Sequence, residues 1–167
     1  MVLPILTFPN DYLRKPTKPV EFPLSKEIKK LTRDMIETVK AADGIGLAAP
    51  QVGRSAKLIV INLEKSGVPV FALYNPKIVS SGTKKVEIEE GCLSIPGVFG
   101  MVKRPRKVTI QAQNAAGDTV QLDDDGWISR VGQHEIDHIN GRLIIDIIKK
   151  YSQGEDQVKQ WKKEKLL

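Results

Sequence analysis

The sequence predicts an α+β fold in which antiparallel β-sheets pack around a central helix, with a further helix near each end. Strand-like and helix-like segments do not alternate regularly, which argues against a parallel sheet with crossover helices. Residues 107–112 and 120–122 alternate apolar and polar side chains on either side of a turn, as in a β-hairpin. The central helix is predicted because apolar residues and both histidines recur with helical spacing between residues 127 and 138.

The length and composition predict one globular domain spanning residues 1–167. Hydrophobic residues make up 41% and charged residues 28% of the chain, which is ordinary for a folded domain. No apolar run is long enough to cross a bilayer, and the first residues lack the basic start of a secretory signal. Cys92 is the only cysteine, so no intrachain disulfide can form and a reducing compartment is expected. The net charge of +6 favours contact with anionic surfaces without identifying one.

The first helix is predicted to follow a proline-rich arm. Ser25 is a favourable N-cap residue. The segment after it places apolar residues on one helical stripe, formed by Ile28, Leu31, Met35, Ile36 and Val39. We expect this helix to end near Asp43 and Gly44, because glycine commonly terminates helices.

Two strands are predicted between this helix and the hairpin. Residues 58–61 form a short apolar run typical of a buried strand. Residues 70–74 form a second strand, which we expect to end at Asn75 and Pro76. The turn of the hairpin is predicted at residues 114–118.

The central helix is predicted to begin after Asp125 as N-cap and to end near Gly141. One face would carry Trp127, Val131, His134 and His138. Both histidines are therefore expected to point into the protein. Residues 149–167 are polar and basic, and we predict that they form a C-terminal helical segment on the surface.

The two histidines belong to the pattern HExxH, in which ligands one helical turn apart bind a single metal ion. Glu135 between them can then handle the protons of an activated water. A catalytic metal usually takes three protein ligands and keeps one open position. The completion HExxHxxGxxH fails because its third histidine would fall at Ile144. Cys92 is the remaining soft donor, since a thiolate binds zinc or iron well.

These assignments have alternatives. HExxH occurs by chance in surface helices, and a lone cysteine is more often a small core residue than a ligand. Glu155 and Glu164 are further carboxylates, but no pattern around them supports a ligand role. A zinc endopeptidase would use the same helix, and a structural zinc would need a fourth protein ligand. The sequence favours three ligands and an open, wet position.

Three separated segments resemble the signature motifs of peptide deformylases. They are residues 44–51 (GIGLAAPQ), 90–94 (EGCLS) and 133–138 (QHEIDH). Their order and approximate spacing also match, and the resemblance covers nearly the whole chain. Residues 44–49 also fit a loose dinucleotide fingerprint, but that motif needs a strand before it and a helix after it. The predicted order here is the reverse, so cofactor binding of that kind is rejected.

The resemblance implies a metal-dependent hydrolase that removes the formyl group from N-terminal formylmethionine of newly synthesised proteins and releases formate. It implies that Glu135 transfers protons, and that the Gln51 amide and the Leu93 N–H stabilise charge developing on oxygen. The implied metal ligands are Cys92, His134 and His138. The implied substrate-binding residues are Ile45, Gly46 and Gly91.

The resemblance also implies a cofactor, partners and a location. The cofactor is one divalent metal ion, Fe²⁺ in the native enzyme, with Zn²⁺, Ni²⁺ or Co²⁺ able to occupy the site. The partners are nascent formylated polypeptides, with weak contact to ribosomal RNA through the basic C-terminal segment and none to a membrane or DNA. The location is cytoplasmic, or an organelle stroma or matrix if a transit segment was removed.

A few residues depart from the pattern of such enzymes or lack an implied role in the chemistry. Gly132 stands where something bulkier is common. Ser129 and Arg130 fall in the region that shapes the pocket for the first substrate side chain, so the polarity of that pocket is open. We expect Asp137 to form a structural ion pair or to support the site, and Trp127 to serve in packing.

Overall fold

The computed structural model describes all 167 residues. Its helices are α1 (Lys26–Ala41), α2 (Trp127–Ile139) and α3 (Glu155–Lys163). Its strands are β1 (Gly46–Ala48), β2 (Leu58–Leu63), β3 (Val68–Ser81), β4 (Lys85–Cys92), β5 (Ile95–Pro105), β6 (Val108–Gln113), β7 (Thr119–Asp124) and β8 (Lys150–Gln153). No helix is both long enough and apolar enough to span a bilayer.

The strands form two antiparallel sheets that flank α2. The larger sheet has the order β1-β2-β3-β6-β7, with β1 at one edge, and the smaller has the order β4-β5-β8. On one side α2 shares an apolar cluster with the larger sheet, through Val131, Ile136 and Ile139. On the other side Arg130 donates hydrogen bonds to backbone carbonyls of β4 and β5. The predicted α+β fold with a central helix is confirmed.

Helix α1 begins and ends as the sequence predicts. The Ser25 hydroxyl accepts a hydrogen bond from the Ile28 N–H at 3.1 Å, which satisfies one of the free donors of the first turn. The buried stripe of α1 includes Met35 and Val39, which are fully buried against Leu58 of β2 and its neighbours. The strand at residues 58–61 and the hairpin of β6 and β7 are also confirmed.

Strand β3 continues past its predicted end at Asn75 and Pro76. Asn75 adopts φ 51°, and the pairing of β3 with β6 shifts register between Tyr74 and Lys77. The Asn75 side chain bonds both the N–H and the C=O of Val20 at 2.8 Å. The prediction was wrong because this long-range clamp holds an irregularity that lets the strand continue.

Two further features of α2 correct the prediction. Its first turn is bonded by Asp124, whose Oδ2 accepts from the N–H groups of Gly126 and Ser129 at 2.8 and 2.6 Å. Asp125 instead makes a loose, exposed ion pair with Arg106 at 3.5 Å. Trp127 does not pack inward, since 52% of it is exposed. Trp127 is the first residue of α2, and its side chain lies outside the apolar cluster that α2 shares with the larger sheet.

Strands β4, β5 and β8, which build the smaller sheet, were not among the predicted elements. The basic C-terminal segment contains β8 and α3, and it is attached to the body of the protein. Val158 is buried, and the ring of Trp161 lies edge-on to that of Phe8 with 4.8 Å between centroids. The predicted C-terminal helix is therefore confirmed, but as a packed element.

Candidate metal centre and cleft

Three side chains of types that can bind a metal converge between α2 and the turn that joins β4 to β5. His134 and His138 lie one turn apart on α2, with ring centroids 5.0 Å apart. Cys92 ends β4, and its Sγ lies 3.2 Å from Nε2 of His138. The ligand atoms of all three residues lie within 4.8 Å of one another. The fold thus brings together the thiol and the two imidazoles that the sequence singles out.

The chemistry of these donors fits a divalent transition metal. His134 Nδ1 is 3.0 Å from Oε2 of Glu90, so the tautomer that donates to this carboxylate leaves the Nε2 lone pair free. His138 Nδ1 is buried and has no hydrogen-bond partner. Two imidazoles and one thiolate are donors that zinc and iron accept, and three donors leave room for an open position.

The pKa values of the two histidines move in opposite directions. Burial lowers the pKa of His138 well below its ordinary value, which favours the neutral, metal-binding imidazole. Burial acts the same way on His134, but its hydrogen bonds to Cys92 and Glu90 raise its pKa well above the ordinary value. The raised pKa of His134 favours its protonated form, so a metal ion that binds here would displace that proton.

Behind His134 lies a buried network of charged residues. Glu90 accepts hydrogen bonds from Arg104 Nε at 2.7 Å and from Arg130 Nη1 at 2.9 Å. Arg104 also pairs with Asp137 at 2.7 Å, which is the structural ion pair expected for Asp137. Burial opposes ionisation of Glu90, but the hydrogen bonds from His134 and Arg104 prevail and lower its pKa to about 2. Glu90 is therefore a fixed carboxylate that orients the His134 ring.

Glu135 lies next to the histidines and is available for proton transfer. It is 4% exposed, and its Oε2 is buried without a hydrogen-bond partner. Burial is the main cause that raises its pKa to about 7. A carboxylate with this pKa can both accept and release a proton near neutral pH. The backbone of Gly46 lies so close to this carboxylate that any larger residue there would collide with it.

Gln51 is held rigidly beside the thiol. Its Oε1 accepts from the Ala48 N–H at 2.8 Å, and its Nε2 donates to Ser94 Oγ at 3.1 Å and approaches Cys92 Sγ at 3.7 Å. The side chain is 1% exposed, so these bonds fix the direction of its amide. Gln51 and Leu93 both border the cleft next to Cys92.

The centre opens into a cleft of about 500 Å³. The remaining residues that the sequence singled out all border it: Ile45, Gly46, Leu93 and Gly91. Strand β1 forms one wall, and its outer edge is unpaired because β1 is the edge strand of the larger sheet. Three exposed apolar side chains surround the mouth, at Ile45, Phe99 and Trp127. Trp127 therefore faces the cleft and not the core, while Arg130 contributes to its wall.

Comparison with known proteins agrees with this geometry. The family model for polypeptide deformylase matches residues 2–154. The chain belongs to the peptide deformylase family. It is 44% identical over 147 residues to the peptide deformylase of Acinetobacter baumannii (strain SDF), covering 88% of this chain and 83% of that one. It is 39% identical over 166 residues to peptide deformylase 1 of Burkholderia multivorans, covering 99% and 91%.

Solved structures of the family share the whole fold. The peptide deformylase of Legionella pneumophila superposes with a TM-score of 0.86 at 37% identity, covering 99% of this chain and 94% of that one. The enzyme of Thermotoga maritima superposes with a TM-score of 0.83 at 40% identity, covering 89% and 99%. As a peptide deformylase, the protein is a hydrolase that removes the N-terminal formyl group from newly synthesised proteins.

The partners that support this deformylase site carry no predicted role. Glu90 belongs to the second motif, whose implied ligand is Cys92, and Arg104 lies outside all three motifs. A usable signal existed, because residues 86, 88 and 90 alternate inward along β4 and put Glu90 on the covered face of a strand. The structure also shows how Arg130 affects the polarity of the pocket. Its guanidinium donates hydrogen bonds to Glu90 and to two backbone carbonyls, so it is already bonded within the protein. Ser129 is fully buried and donates to Arg106 O, so it does not face the cleft.

Proposed function

We propose that Cys92, His134 and His138 bind the metal on which deformylation depends, and that residues 1–167 act as a single catalytic domain. The observation that carries the proposal is the convergence of their three ligand atoms within 4.8 Å, beside an unpaired buried carboxylate. When bound, a divalent ion supplies Lewis-acid activation of water and of the formyl oxygen. Glu90 keeps His134 in the orientation and tautomer that this binding requires.

Glu135 is the proposed general base and acid. Its carboxylate would accept a proton from the attacking water and later deliver one to the amine that leaves as the new N-terminus. The pKa of about 7 suits both steps. Exclusion of solvent from this carboxylate keeps the transferred proton within the site.

Gln51 and Leu93 are proposed to stabilise the negative charge that develops on the formyl oxygen. Both border the cleft beside Cys92, and the Gln51 amide is already fixed by its bonds to Ala48 and Ser94. A donor that is in place before the reaction needs no reorganisation, and removal of one such donor typically lowers turnover about 100- to 1,000-fold.

The substrate is proposed to lie along Ile45, Gly46 and Gly91. The unpaired edge of β1 offers backbone groups to an extended peptide, as in other cases of strand addition. Gly46 and Gly91 carry no side chain to obstruct it, and a Cβ at Gly91 would collide with the ring of Phe99. Trp127, Phe99 and the Ile45 side chain would cover the residues that follow formylmethionine.

Fe²⁺ is proposed as the native ion, and Zn²⁺, Ni²⁺ or Co²⁺ as ions that can replace it. The mixed thiolate and imidazole set accepts all four. Because zinc outcompetes ferrous iron at such ligands, the ion found after aerobic purification does not identify the one used in the cell.

The test is formate release from a formylmethionyl peptide by enzyme prepared anaerobically with iron, and separately with nickel. Glu135→Gln keeps the shape of the side chain but removes the proton acceptor, so turnover should fall about 100- to 10,000-fold with metal content unchanged. Casein is the parallel substrate. Casein cleavage without formate release would reject the proposal in favour of a zinc endopeptidase.

The proposed partners are nascent formylated chains and, more weakly, ribosomal RNA, with the cytoplasm as the proposed location. The exposed lysines of α3 support the RNA contact, although Glu155 pairs with Lys159 there. Removing residues after 150 would strip a strand and the buried Val158, so charge reversal at Lys162 and Lys163 is the better test. Unchanged, salt-insensitive ribosome binding by that variant would reject the RNA contact.

A further inference from the structure

Asn62 lies where the pairing of β2 with β3 is irregular, directly behind the wall of the cleft. Between the pairs Ile61–Phe71 and Leu63–Val68, two residues of β3 oppose Asn62 alone, so the extra residue of this bulge belongs to β3. Within β2, Asn62 keeps the alternation of Leu58 and Val60, which pack in the cluster that contains α1. Its side chain therefore points toward the segment that connects α1 to β1, where it bonds Gly44.

Two hydrogen bonds from Asn62 hold that segment. Its backbone N–H donates to the carbonyl of Ile45 at 2.8 Å, and its side-chain Nδ2 donates to the carbonyl of Gly44 at 2.9 Å. The other amide atom, Oδ1, is buried and accepts no hydrogen bond. A buried acceptor without a partner is unfavourable by about 1–3 kcal/mol. The Asn62 amide is therefore held in an orientation that leaves its oxygen without a partner while its nitrogen stays bonded to the Gly44 carbonyl.

The segment held by Asn62 lies between Leu93 and Glu135, two residues that the proposed function uses. A Cβ on Gly44 would lie 2.8 Å from the Leu93 side chain, so the Gly44 backbone packs directly against the residue after Cys92. Gly46 abuts the Glu135 carboxylate in the same way. Ile45 between them is 49% exposed and its side chain is too open to anchor the backbone by packing. Asp43 before it adopts φ 53°, an unfavourable left-handed conformation for a residue with a side chain.

We infer that Asn62 is a positioning residue for the peptide substrate, which it serves by fixing the Gly44–Ile45 backbone as one wall of the cleft. The inference rests on the proposed role of Ile45 and Gly46 in substrate binding. Asn62 does not touch the metal ligands, so its loss should weaken peptide binding more than the chemical step.

The test compares Asn62→Leu, which keeps similar bulk without the donor, with Tyr74→Phe. The second variant removes the buried bond between the Thr32 and Tyr74 hydroxyls, 2.9 Å apart and away from the cleft. For Asn62→Leu we expect KM for a formylmethionyl tripeptide to rise about tenfold, the weight of one hydrogen bond, with kcat within about threefold. Tyr74→Phe should leave both constants within about twofold despite a similar loss of thermal stability.

Hydrogen–deuterium exchange of residues 43–48 gives a readout that does not depend on activity. Exchange there should accelerate in Asn62→Leu, or in the milder Asn62→Ser if the first variant does not fold, and should not change in Tyr74→Phe. Unchanged exchange, or an equal rise in KM in Tyr74→Phe, would overturn the inference. Failure of the wild-type enzyme to release formate would instead count against the proposed function, and the exchange result would still decide the role of Asn62.

Discussion

At the residue scale, the charges that support His134 are buried and paired with one another. Glu90 is the centre of this arrangement, since it bonds His134 and two arginines with only 8% of the residue exposed. Breaking one partner of a buried ion pair is usually strongly destabilising, because the other charge stays buried without compensation. The network therefore links metal binding to the stability of the fold.

Glu90→Gln tests this link. The amide has the same shape but cannot hold His134 as the carboxylate does, so metal affinity should fall about 10- to 100-fold. Competition with a chelator measures the affinity. Glu87→Gln is the matched control, because Glu87 lies on the same strand with an exposed side chain. Equal affinity of the two variants would contradict the orienting role of Glu90.

At the scale of elements, α2 needs both a capped start and a close fit to the sheet. Two donors of its first turn are satisfied by Asp124, which also ends β7. Farther along, Gly132 lets the helix backbone approach Ile110 of β6 so closely that a Cβ would collide with the Ile110 side chain. The glycine that departs from the family pattern thus has a packing reason.

Asp124→Ala should lower the free energy of unfolding by about 1 kcal/mol, the typical contribution of a cap. Asp125→Ala should change it by less than about 0.5 kcal/mol, because that side chain is exposed and only loosely paired. Urea denaturation of the two neighbouring variants distinguishes them. A larger loss of unfolding free energy for Asp125→Ala would contradict this and would support Asp125 as the N-cap, as the sequence predicts.

Gly132→Ala sets two opposed effects against each other. Alanine favours an exposed helix over glycine by about 1 kcal/mol, whereas overpacking a core destabilises by about 1–3 kcal/mol. We expect the collision with Ile110 to prevail, so that the variant unfolds at lower urea concentration. Ile110→Val removes the methyl group that would collide with the added Cβ. The double variant should therefore lose less stability than the sum of the losses in the two single variants.

At the scale of the whole molecule, long-range ion pairs tie the N-terminal arm to the body. Asp146, just after α2, pairs with Arg14 at 2.5 Å and accepts from the Leu143 N–H. Burial acts to raise the pKa of Asp146, but the bonds from Arg14 and Leu143 outweigh it and lower the pKa below the ordinary value of 3.8. The arm is therefore attached most firmly when this carboxylate is ionised.

The pH dependence of stability follows from the sign of that shift. A lowered pKa in the folded state stabilises above the ordinary pKa, and this stabilisation is lost as the pH falls through the folded value. Asp146→Asn should thus be less stable than the wild type at pH 7, by under about 1 kcal/mol because the pair is partly exposed. The difference should shrink as the pH falls below the ordinary pKa and through the folded value, as measured by urea denaturation from pH 7 to 2. A constant difference would contradict the assignment.

The sequence alone determined the elements whose signals are local, and it predicted the residues that are proposed to carry the chemistry. Each of these signals lies within a short stretch of sequence, so neighbouring residues encode it. They are the periodicity of α1, the alternation in the hairpin of β6 and β7, and the HExxH spacing. Tertiary structure alone decided the continuation of β3 through Asn75, the exposure of Trp127 and the roles of Arg104 and Asn62. Those features depend on partners distant in the chain, and one sequence does not show which distant residues will meet.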